Sequence, residues 1–352
     1  MTVNISGLEQ QARELLRPDV YEYYAGGSGG EVTLRANDEA WRQVRFLPRV
    51  LRDVSAVQTR VVLGHPLNLE LRTPIAVAPT AFHRLAHPEA EIATASGAAR
   101  AGALFVLSTR STRRIEDVAA AVAGGGGSWW FQVYLMHERE LTARLVRRAA
   151  AAGAQALVLT ADTPVVGRKA RMPRDGLIEE PDFLVNLGPL DDMAVTEFVP
   201  VSLADIGWLA EVSGLPVVVK GVLRADDAAA CLAAGAAAVI VSNHGGRQLD
   251  QAMPTALALP AVLAAAAGRP VYVDGGVRTA EHVLAGLAMG AQLVFVGRPV
   301  LWALACGGAD GVQAWLDGLT DGLAHVMTLA GAAAPDELPG LAIVDHETKA
   351  SG

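Results

Sequence analysis

Short apolar segments, many of them rich in β-branched residues, recur eight times along the 352-residue chain. Most are separated by Ala-rich stretches of helical composition, such as Ser111 to Val122, Ser202 to Val212 and Thr279 to Met289. The predicted strands are Pro74 to Ala78, Leu104 to Leu107, Trp129 to Val133, Ala156 to Thr160, Pro216 to Lys220, Ala238 to Ser242, Pro270 to Asp274 and Leu293 to Gly297. Parallel strands covered on both faces by helices are apolar throughout. The pattern predicts an α/β protein with a (β/α)8 TIM barrel, and a doubly wound open sheet is the alternative.

Hydrogen-bonding residues and glycines follow nearly every predicted strand at its C-terminal end. They are Pro79 and Thr80, Ser108, Gln132 with Tyr134, Thr160 with Asp162, Lys220, Ser242 with His244, Asp274 with Gly275 and Gly276, and Gly297 with Arg298. Any one of them is explained as a strand cap or a turn residue, but that explanation must hold for the whole set. Barrel enzymes place their active sites at this end, which favours the barrel over the open sheet.

One strand end carries the chemistry most clearly. The segment Val239 to Asp250 reads VIVSNHGGRQLD, so a buried strand stops and brings His244 and Arg247 together. An imidazole can take a proton, and a guanidinium can hold a carboxylate with two parallel hydrogen bonds. This pair suits a small anionic substrate that loses a proton. The alternative interpretation is a surface loop with a solvated His and Arg.

Glycine-rich turns end the last two predicted strands, in VYVDGGVRT and FVGRPV. Loops at these positions of a barrel frequently bind phosphate, where backbone N–H groups approach the oxygens and Arg278 and Arg298 add charge. We therefore predict a phosphorylated cofactor and favour FMN, because Lys220 could stabilise negative charge on a reduced isoalloxazine. A second glycine-rich turn, AGGSGG at Ala25 to Gly30, has no strand before it and is not assigned to phosphate.

Composition excludes several other classes of function. The chain has 29 basic and 37 acidic residues and a net charge of −8, so a nucleic-acid partner is not expected. Two cysteines give no disulfide framework and no cysteine metal site, and we expect no metal. The N-terminal residues lack a signal-peptide pattern, and no apolar run is long enough to span a bilayer. We expect a cytoplasmic protein that does not bind a membrane.

The chain is predicted to be one domain over residues 1–352. Within it, residues 1–73 form an N-terminal segment that includes a helix at Leu8 to Leu16. The stretch 164–201 is longer than the other crossovers and contains several prolines, so we interpret it as a lid over the barrel mouth.

Several motifs resemble the FMN-dependent 2-hydroxy acid oxidase and dehydrogenase family, which includes glycolate oxidase, lactate oxidase and hydroxymandelate oxidase. The motifs are KGV at Lys220, SNHGGRQLD at Ser242, DGGVR at Asp274 and GRP at Gly297, together with VYEYYAGGSG, FLPRVLRDV, APTAFHRLAHPEAE, FQVY and LTADTPVVGR in the expected order. The resemblance extends over nearly the whole chain.

The resemblance implies a role for each motif residue. His244 would be the catalytic base and Asp162 would stabilise its imidazolium, Arg247 would bind the substrate carboxylate, and Tyr23 and Tyr134 would contact the carboxylate or the hydroxyl group. FMN would contact Pro79, Thr80, Ala81, Ser108, Gln132, Thr160, Lys220, Ser242, Asp274, Gly276, Arg278, Gly297 and Arg298. The family also implies a homotetramer or homo-octamer.

Two residues depart from the family pattern. Where the family has a second carboxylate-binding Arg, this chain has Lys169, unless a one-residue shift brings Arg168 there. Lys cannot reproduce the planar fork of Arg. Arg110 stands where glycolate oxidase has an aromatic residue. We hypothesise that Arg110 replaces the lost anchor or meets a second polar group of an unusual substrate, and a solvated loop Arg is the alternative.

The resemblance implies oxidation of an (S)-2-hydroxy acid to the 2-oxo acid. O2 is our first choice of acceptor, giving H2O2, because the basic amphipathic insertion of a membrane-attached mandelate dehydrogenase is not found between residues 164 and 201. The motifs AGGSG and GRPVLWALA favour an aryl substrate such as mandelate or 4-hydroxymandelate. The alternatives are a dehydrogenase with another acceptor, a tailoring oxidase for a larger hydroxylated substrate, a non-oxidative FMN barrel and a scaffold protein.

Overall fold

A computed structural model describes residues 5–169, 171, 183–187 and 199–344. Its centre is a closed barrel of eight parallel strands, β4 to β11, in which β11 also pairs with β4. The strands are Ile75–Val77, Leu104–Leu107, Trp129–Val133, Leu157–Thr160, Val217–Val222, Ala238–Val241, Val271–Val273 and Leu293–Val296. The predicted TIM barrel is confirmed, and the strands begin and end within two residues of the predicted bounds.

Helices surround this barrel. After the barrel strands come α4 to α11, at Ala90–Ala101, Ile115–Gly124, Arg139–Ala151, Ala204–Ser213, Ala225–Ala233, Thr255–Ala266, Ala280–Met289 and Arg298–Ala330. The last helix is interrupted by non-helical backbone at Gly307 and Gly308. Among the described residues, no helix has the length and apolar character needed to cross a membrane.

Side chains alternate between the inside and the outside of the barrel. Along β4, Ile75 and Val77 face the helices, whereas Ala76 faces the interior. The interior is filled by aromatic residues from β6, β10 and β11, namely Trp130, Tyr272 and Phe295, whose ring centroids are 6.0 to 6.3 Å apart. The barrel is therefore a packed core, and ligands have access to its ends only.

The residues before the barrel form α1 (Ile5–Leu15), α2 (Pro18–Ala25) and α3 (Val32–Arg42), followed by β1 (Val44–Phe46), β2 (Val61–Leu63) and β3 (Leu69–Leu71). Helix α1 confirms the predicted N-terminal helix. The three short strands in 1–73 were not predicted. Leucines of the β2–β3 hairpin pack with the barrel interior and cover its N-terminal end. Strand β1 pairs antiparallel with β12 (Ala342–Val344), close to the other end of the chain.

Most of the predicted lid, 164–201, lies outside the described residues. Its lid role and the single-domain organisation of 1–352 stay predictions.

Close packing of α4 against α11 depends on one glycine. A Cβ atom at Gly97 would lie 2.5 Å from the backbone oxygen of Ala309 and 2.8 Å from Cβ of Val312. Gly207 in α7 is also inside a helix, but no heavy atom lies within 4 Å of its Cβ position.

We expect Gly97→Ala to lower the free energy of unfolding by roughly 1–3 kcal/mol, because the two helices must separate. Gly207→Ala is the matched control and should raise it by up to about 1 kcal/mol through helix propensity. Urea unfolding followed by far-UV circular dichroism measures both values. Equal effects of the two substitutions would contradict this account of the packing.

Candidate active site

The C-terminal ends of the barrel strands surround a cavity with about 1180 Å³ of empty space, part of it open to solvent. The predicted site residues that line the cavity are Tyr23, Pro79, Thr80, Ala81, Ser108, Arg110, Gln132, Tyr134, Thr160, Lys169, Lys220, His244, Arg247, Asp274, Gly276, Arg278, Gly297 and Arg298. Asp162 and Ser242 lie behind the wall and contact residues that line it.

His244 is held in an uncommon backbone conformation directly after β9. Its φ is 58°, and Gly245 and Gly246 follow with φ of 62° and 73°. Only glycine fits at the third position, because a Cβ at Gly246 would lie 2.7 Å from the backbone nitrogen of Leu34. The side chain of Asn243 accepts a hydrogen bond from the Gly246 N–H and secures the turn. Such strain is typical of functional sites, where the surroundings impose it.

Asp162 contacts the imidazole of His244. The distance from Nδ1 of His244 to Oδ1 of Asp162 is 2.9 Å. Burial opposes ionisation of the Asp162 carboxyl, but His244 and Lys220 outweigh it and hold the pKa of Asp162 below its usual value. The carboxylate therefore persists beside the ring. Within the described residues, the hydrogen bonds of the ring to Asp162 and Thr163 are made by Nδ1, which leaves Nε2 of His244 for the cavity.

Lys220 of β8 forms a buried ion pair with Asp274, which follows β10. Its Nζ lies 3.0 Å from Oδ2 of Asp274 and donates to the Ser242 hydroxyl at 2.7 Å. Burial alone would lower the pKa of Lys220, but Asp274 and Asp162 raise it above the usual value, so the ammonium is retained. Lys220 is thus a fixed positive charge in the cavity wall. Strand β8 continues two residues beyond the predicted end, so Lys220 lies within the strand and not at its end.

The amide of Gln132 organises the opposite wall. Its oxygen accepts from the Ser108 hydroxyl at 3.2 Å and from the Thr109 N–H at 3.1 Å, and its nitrogen donates to the Thr160 hydroxyl at 3.0 Å. These bonds fix which way the amide faces. Beside it, burial raises the pKa of Tyr134 to about 12, so its phenol stays protonated at neutral pH.

Two arginines of the cavity hold the N-terminal segment. Nη1 of Arg247 donates to the backbone oxygens of Tyr23 and Gly26, each at 2.8 Å, and the guanidinium lies 5.0 Å from the centre of the Tyr23 ring. Arg298 donates to backbone oxygens of Tyr24 and Gly26 at 2.9 and 3.0 Å. The sequence analysis predicted that Arg247 binds the substrate and that Arg298 binds FMN. In the structure both side chains also donate hydrogen bonds to backbone oxygens of the N-terminal segment.

The structure places Lys169, and not Arg168, in the cavity. Its Nζ donates to the backbone oxygen of Gly167 at 3.2 Å. Burial lowers the pKa of Lys169 to about 8, and the positive charges of Arg247 and Arg110 contribute to the same shift. Arg110 and Arg247 line the same cavity as Lys169.

Further residues of the cavity wall were missed by the sequence prediction. They are Tyr24, Ala78, Thr163, Val166, Gly245, Gln248, Val277, Phe295 and Leu301. Most are neighbours of motif residues along the chain, so proximity was the available signal. Phe295 is different because it points into the barrel from the middle of β11, where the alternation of a strand identifies it.

A family model for FMN-dependent dehydrogenases matches residues 12–344. The chain belongs to the FMN-dependent dehydrogenase family. An L-lactate oxidase from Nostoc sp. is 42% identical to the chain and covers 94% of it, with 94% of the relative matched. Glycolate oxidase 1 of Zea mays is 40% identical over 99% of this chain and 97% of its own. These findings confirm the resemblance on which the sequence prediction rested.

Solved structures of mandelate oxidase have the same fold. One superimposes with a TM-score of 0.89 at 39% identity and covers 97% of this chain and 98% of its own. Another, solved with (S)-4-hydroxymandelic acid, has a TM-score of 0.88 at 38% identity over 96% of this chain and 98% of its own. The predicted cofactor, FMN, is confirmed by the family match.

The cavity residues fit FMN. Oδ1 of Asp274 is buried and has no hydrogen-bond partner within the described ranges, so it can accept from a ligand hydroxyl group. Gly276 has φ of 81°, and a Cβ there would lie 2.7 Å from the backbone of Asn37. Burial lowers the pKa of Arg298, and the nearby charges of Arg247 and Arg278 lower it further. A phosphate beside these arginines would relieve that repulsion.

We expect Lys220→Met to lower the free energy of unfolding by about 3 kcal/mol, because it leaves the buried Asp274 carboxylate unpaired. The measurement is urea unfolding at one fixed FMN concentration. The double variant Lys220→Met/Asp274→Asn removes both charges and should recover part of the loss. A double variant less stable than Lys220→Met would contradict the pairing.

Proposed function

We propose that the chain catalyses the FMN-dependent oxidation of an (S)-2-hydroxy acid to the 2-oxo acid. With O2 as the electron acceptor, one hydroxy acid and one O2 yield one 2-oxo acid and one H2O2. The observation that carries the proposal is the contact of His244 with Asp162 in a cavity that also contains Arg247 and Lys169. The oxidase names of the relatives support the choice of O2.

In this proposal His244 is the general base. Asp162 holds the Nδ1 proton, so that Nε2 faces the substrate and takes its proton. The carboxylate then stabilises the imidazolium by opposite charge at 2.9 Å. FMN, when bound, accepts the two electrons that leave the hydroxyl-bearing carbon.

Arg247 and Lys169 bind the substrate carboxylate, and this pairing places the hydroxyl-bearing carbon beside His244. The phenols of Tyr23 and Tyr134 then contact the carboxylate or the hydroxyl group. Tyr134 acts as a hydrogen-bond donor because its pKa is about 12. The cavity wall from Pro79 to Ala81, with Ser108, Gln132, Thr160, Lys220, Asp274, Gly276, Arg278, Gly297 and Arg298, holds FMN. Ser242 supports Lys220 from behind.

For the substrate we favour an aryl 2-hydroxy acid such as mandelate or 4-hydroxymandelate. The structural similarity to mandelate oxidase supports this choice. A larger substrate with a second anionic group is the alternative, because Arg110 and Lys169 add two cations beside Arg247 in the same cavity. A dehydrogenase with another electron acceptor is the second alternative. The cytoplasmic location and the homotetramer or homo-octamer stay predictions.

A substrate panel tests the proposal. Purified protein is mixed without oxygen with glycolate, lactate, mandelate, 4-hydroxymandelate and 2-hydroxyglutarate, and flavin bleaching is recorded. H2O2 is then measured in air. We expect bleaching and peroxide, with the highest kcat/KM for an aryl acid. Bleaching without peroxide would identify a dehydrogenase, and no bleaching with any acid would overturn the proposal.

His244→Gln should reduce kcat/KM by roughly 10²–10⁴-fold, the usual contribution of a general base. The FMN content should stay that of the unmodified protein. His325→Gln, at an exposed position of α11, is the matched control and should leave kcat/KM unchanged. A His244→Gln variant with undiminished flavin bleaching would exclude His244 as the base.

The lowered pKa of Lys169 predicts that substrate binding depends on pH. Its pKa of about 8 means that it is positive below that pH and neutral above it. KM should therefore rise as the pH increases from 7 to 9, and Lys169→Arg should keep KM nearly constant because Arg stays charged. Initial rates over this pH range measure the effect. The same rise of KM in Lys169→Arg would assign the titration to another group.

A further inference from the structure

The turn after β4 places a buried histidine directly behind the cavity wall. Thr80 lines the cavity. The chain reverses direction after it, so that His83 lies beneath Thr80. Phe82 has φ of 63°, an uncommon conformation for an aromatic residue. The Tyr24 hydroxyl donates to the backbone oxygen of Phe82 at 2.6 Å and holds this turn. The backbone is thus constrained where it positions the imidazole.

A fully buried carboxylate secures the same turn from the other side. Glu91 of α4 accepts from the backbone N–H of His83 at 3.1 Å. It also accepts from the N–H and the hydroxyl of Thr112, at 3.0 and 2.6 Å. These bonds satisfy Glu91 without using the imidazole ring. The ring of His83 is therefore free to bond elsewhere.

Both nitrogens of that ring contact hydroxyl groups. Nε2 of His83 lies 2.6 Å from Oγ1 of Thr80, and Nδ1 lies 2.8 Å from Oγ1 of Thr94. Burial lowers the pKa of His83 although Glu91 opposes this shift, so the ring is neutral and carries one proton. A hydroxyl can donate or accept, so the proton can be on either nitrogen with no heavy atom displaced.

The position of this proton decides what Thr80 presents to the cavity. With the proton on Nδ1, the ring donates to Thr94, and Nε2 accepts a hydrogen bond from the Thr80 hydroxyl, whose lone pairs then face the cavity. With the proton on Nε2, the ring donates to Thr80, and the Thr80 proton is available to a ligand. Thr94 can adapt in both states, since its hydroxyl also reaches the backbone oxygen of Ala90 at 3.4 Å.

We propose that His83 is a positioning residue for the flavin. The His83 ring switches the Thr80 hydroxyl between hydrogen-bond donor and acceptor. An isoalloxazine ring gains N–H groups when it is reduced, so a neighbour that can change its role suits both redox states. Thr80 contacts the cofactor and His83 acts through it. This inference rests on the proposed placement of FMN against Thr80.

Thr94→Val is the most informative variant, because Thr94 is remote from the cavity and valine has nearly the same shape. It leaves Nδ1 without a partner, and an unpaired buried N–H is rarer than an unpaired acceptor. The proton should therefore stay on Nε2, and Thr80 should act as a donor toward the flavin. This favours the oxidised cofactor, so we expect a more negative midpoint potential and an altered visible spectrum of bound FMN.

Thr112→Val is the matched control, since Thr112 bonds to Glu91 and not to the imidazole. It should lower stability and leave the potential unchanged. In Thr80→Val, adding Thr94→Val should have no further effect on the potential, because the hydroxyl that transmits the change is gone. In protein with ¹⁵N-labelled histidine, the imidazole signals of His83 are identified by their absence from His83→Gln. Their chemical shifts should indicate different tautomers in the oxidised and the reduced holoenzyme.

The outcomes distinguish the placement of FMN against Thr80 from the role of His83. If Thr80→Val alone leaves the FMN spectrum and potential unchanged, the placement of FMN against Thr80 is wrong. If Thr80→Val shifts them and Thr94→Val does not, the placement stands and the role of His83 is overturned. Equal shifts in Thr94→Val and Thr112→Val would also overturn it, because a general loss of packing would then explain both.

Discussion

The pairing of β11 with β4 is the constraint on which the site depends. Val294 lies opposite Ile75 and Val296 opposite Val77, so the first and last barrel strands are neighbours. Closure leaves no free sheet edge and brings all eight carboxyl ends to one rim. Thr80 and Arg298, more than two hundred residues apart, become walls of one cavity. Because aromatic side chains fill the barrel interior, the site lies at this rim and not inside the barrel.

Three polar groups of the cavity wall are each supported by a partner behind them. Asp162 lies behind His244, Ser242 behind Lys220, and His83 behind Thr80. Asp162 and Ser242 come from other strand ends than the residues they support, whereas His83 comes from the same turn as Thr80. Such support fixes reactive groups before a ligand arrives, and it lowers the reorganisation needed during the reaction.

The barrel could be predicted because its strands are buried on both faces and therefore stand out as apolar runs. The cavity could be located because these strands end in polar residues, and the roles proposed for its residues come from the family resemblance of motifs such as SNHGGRQLD. The pairing of β1 with β12 could not be predicted, since two three-residue strands give no periodic signal. Nor could the burial of Ser242, because a strand end fixes where a residue lies but not which way its side chain points.

The bonds of Arg247 and Arg298 to backbone oxygens have a consequence for acid tolerance. A carboxylate partner is lost when it is protonated, as will happen to Glu31 beside Arg171 at sufficiently low pH. A peptide oxygen has no such titration. The attachment of Tyr23, Tyr24 and Gly26 to the barrel should therefore outlast the surface ion pairs as a solution is acidified. The N-terminal helices would detach together with the barrel's own unfolding and not before it.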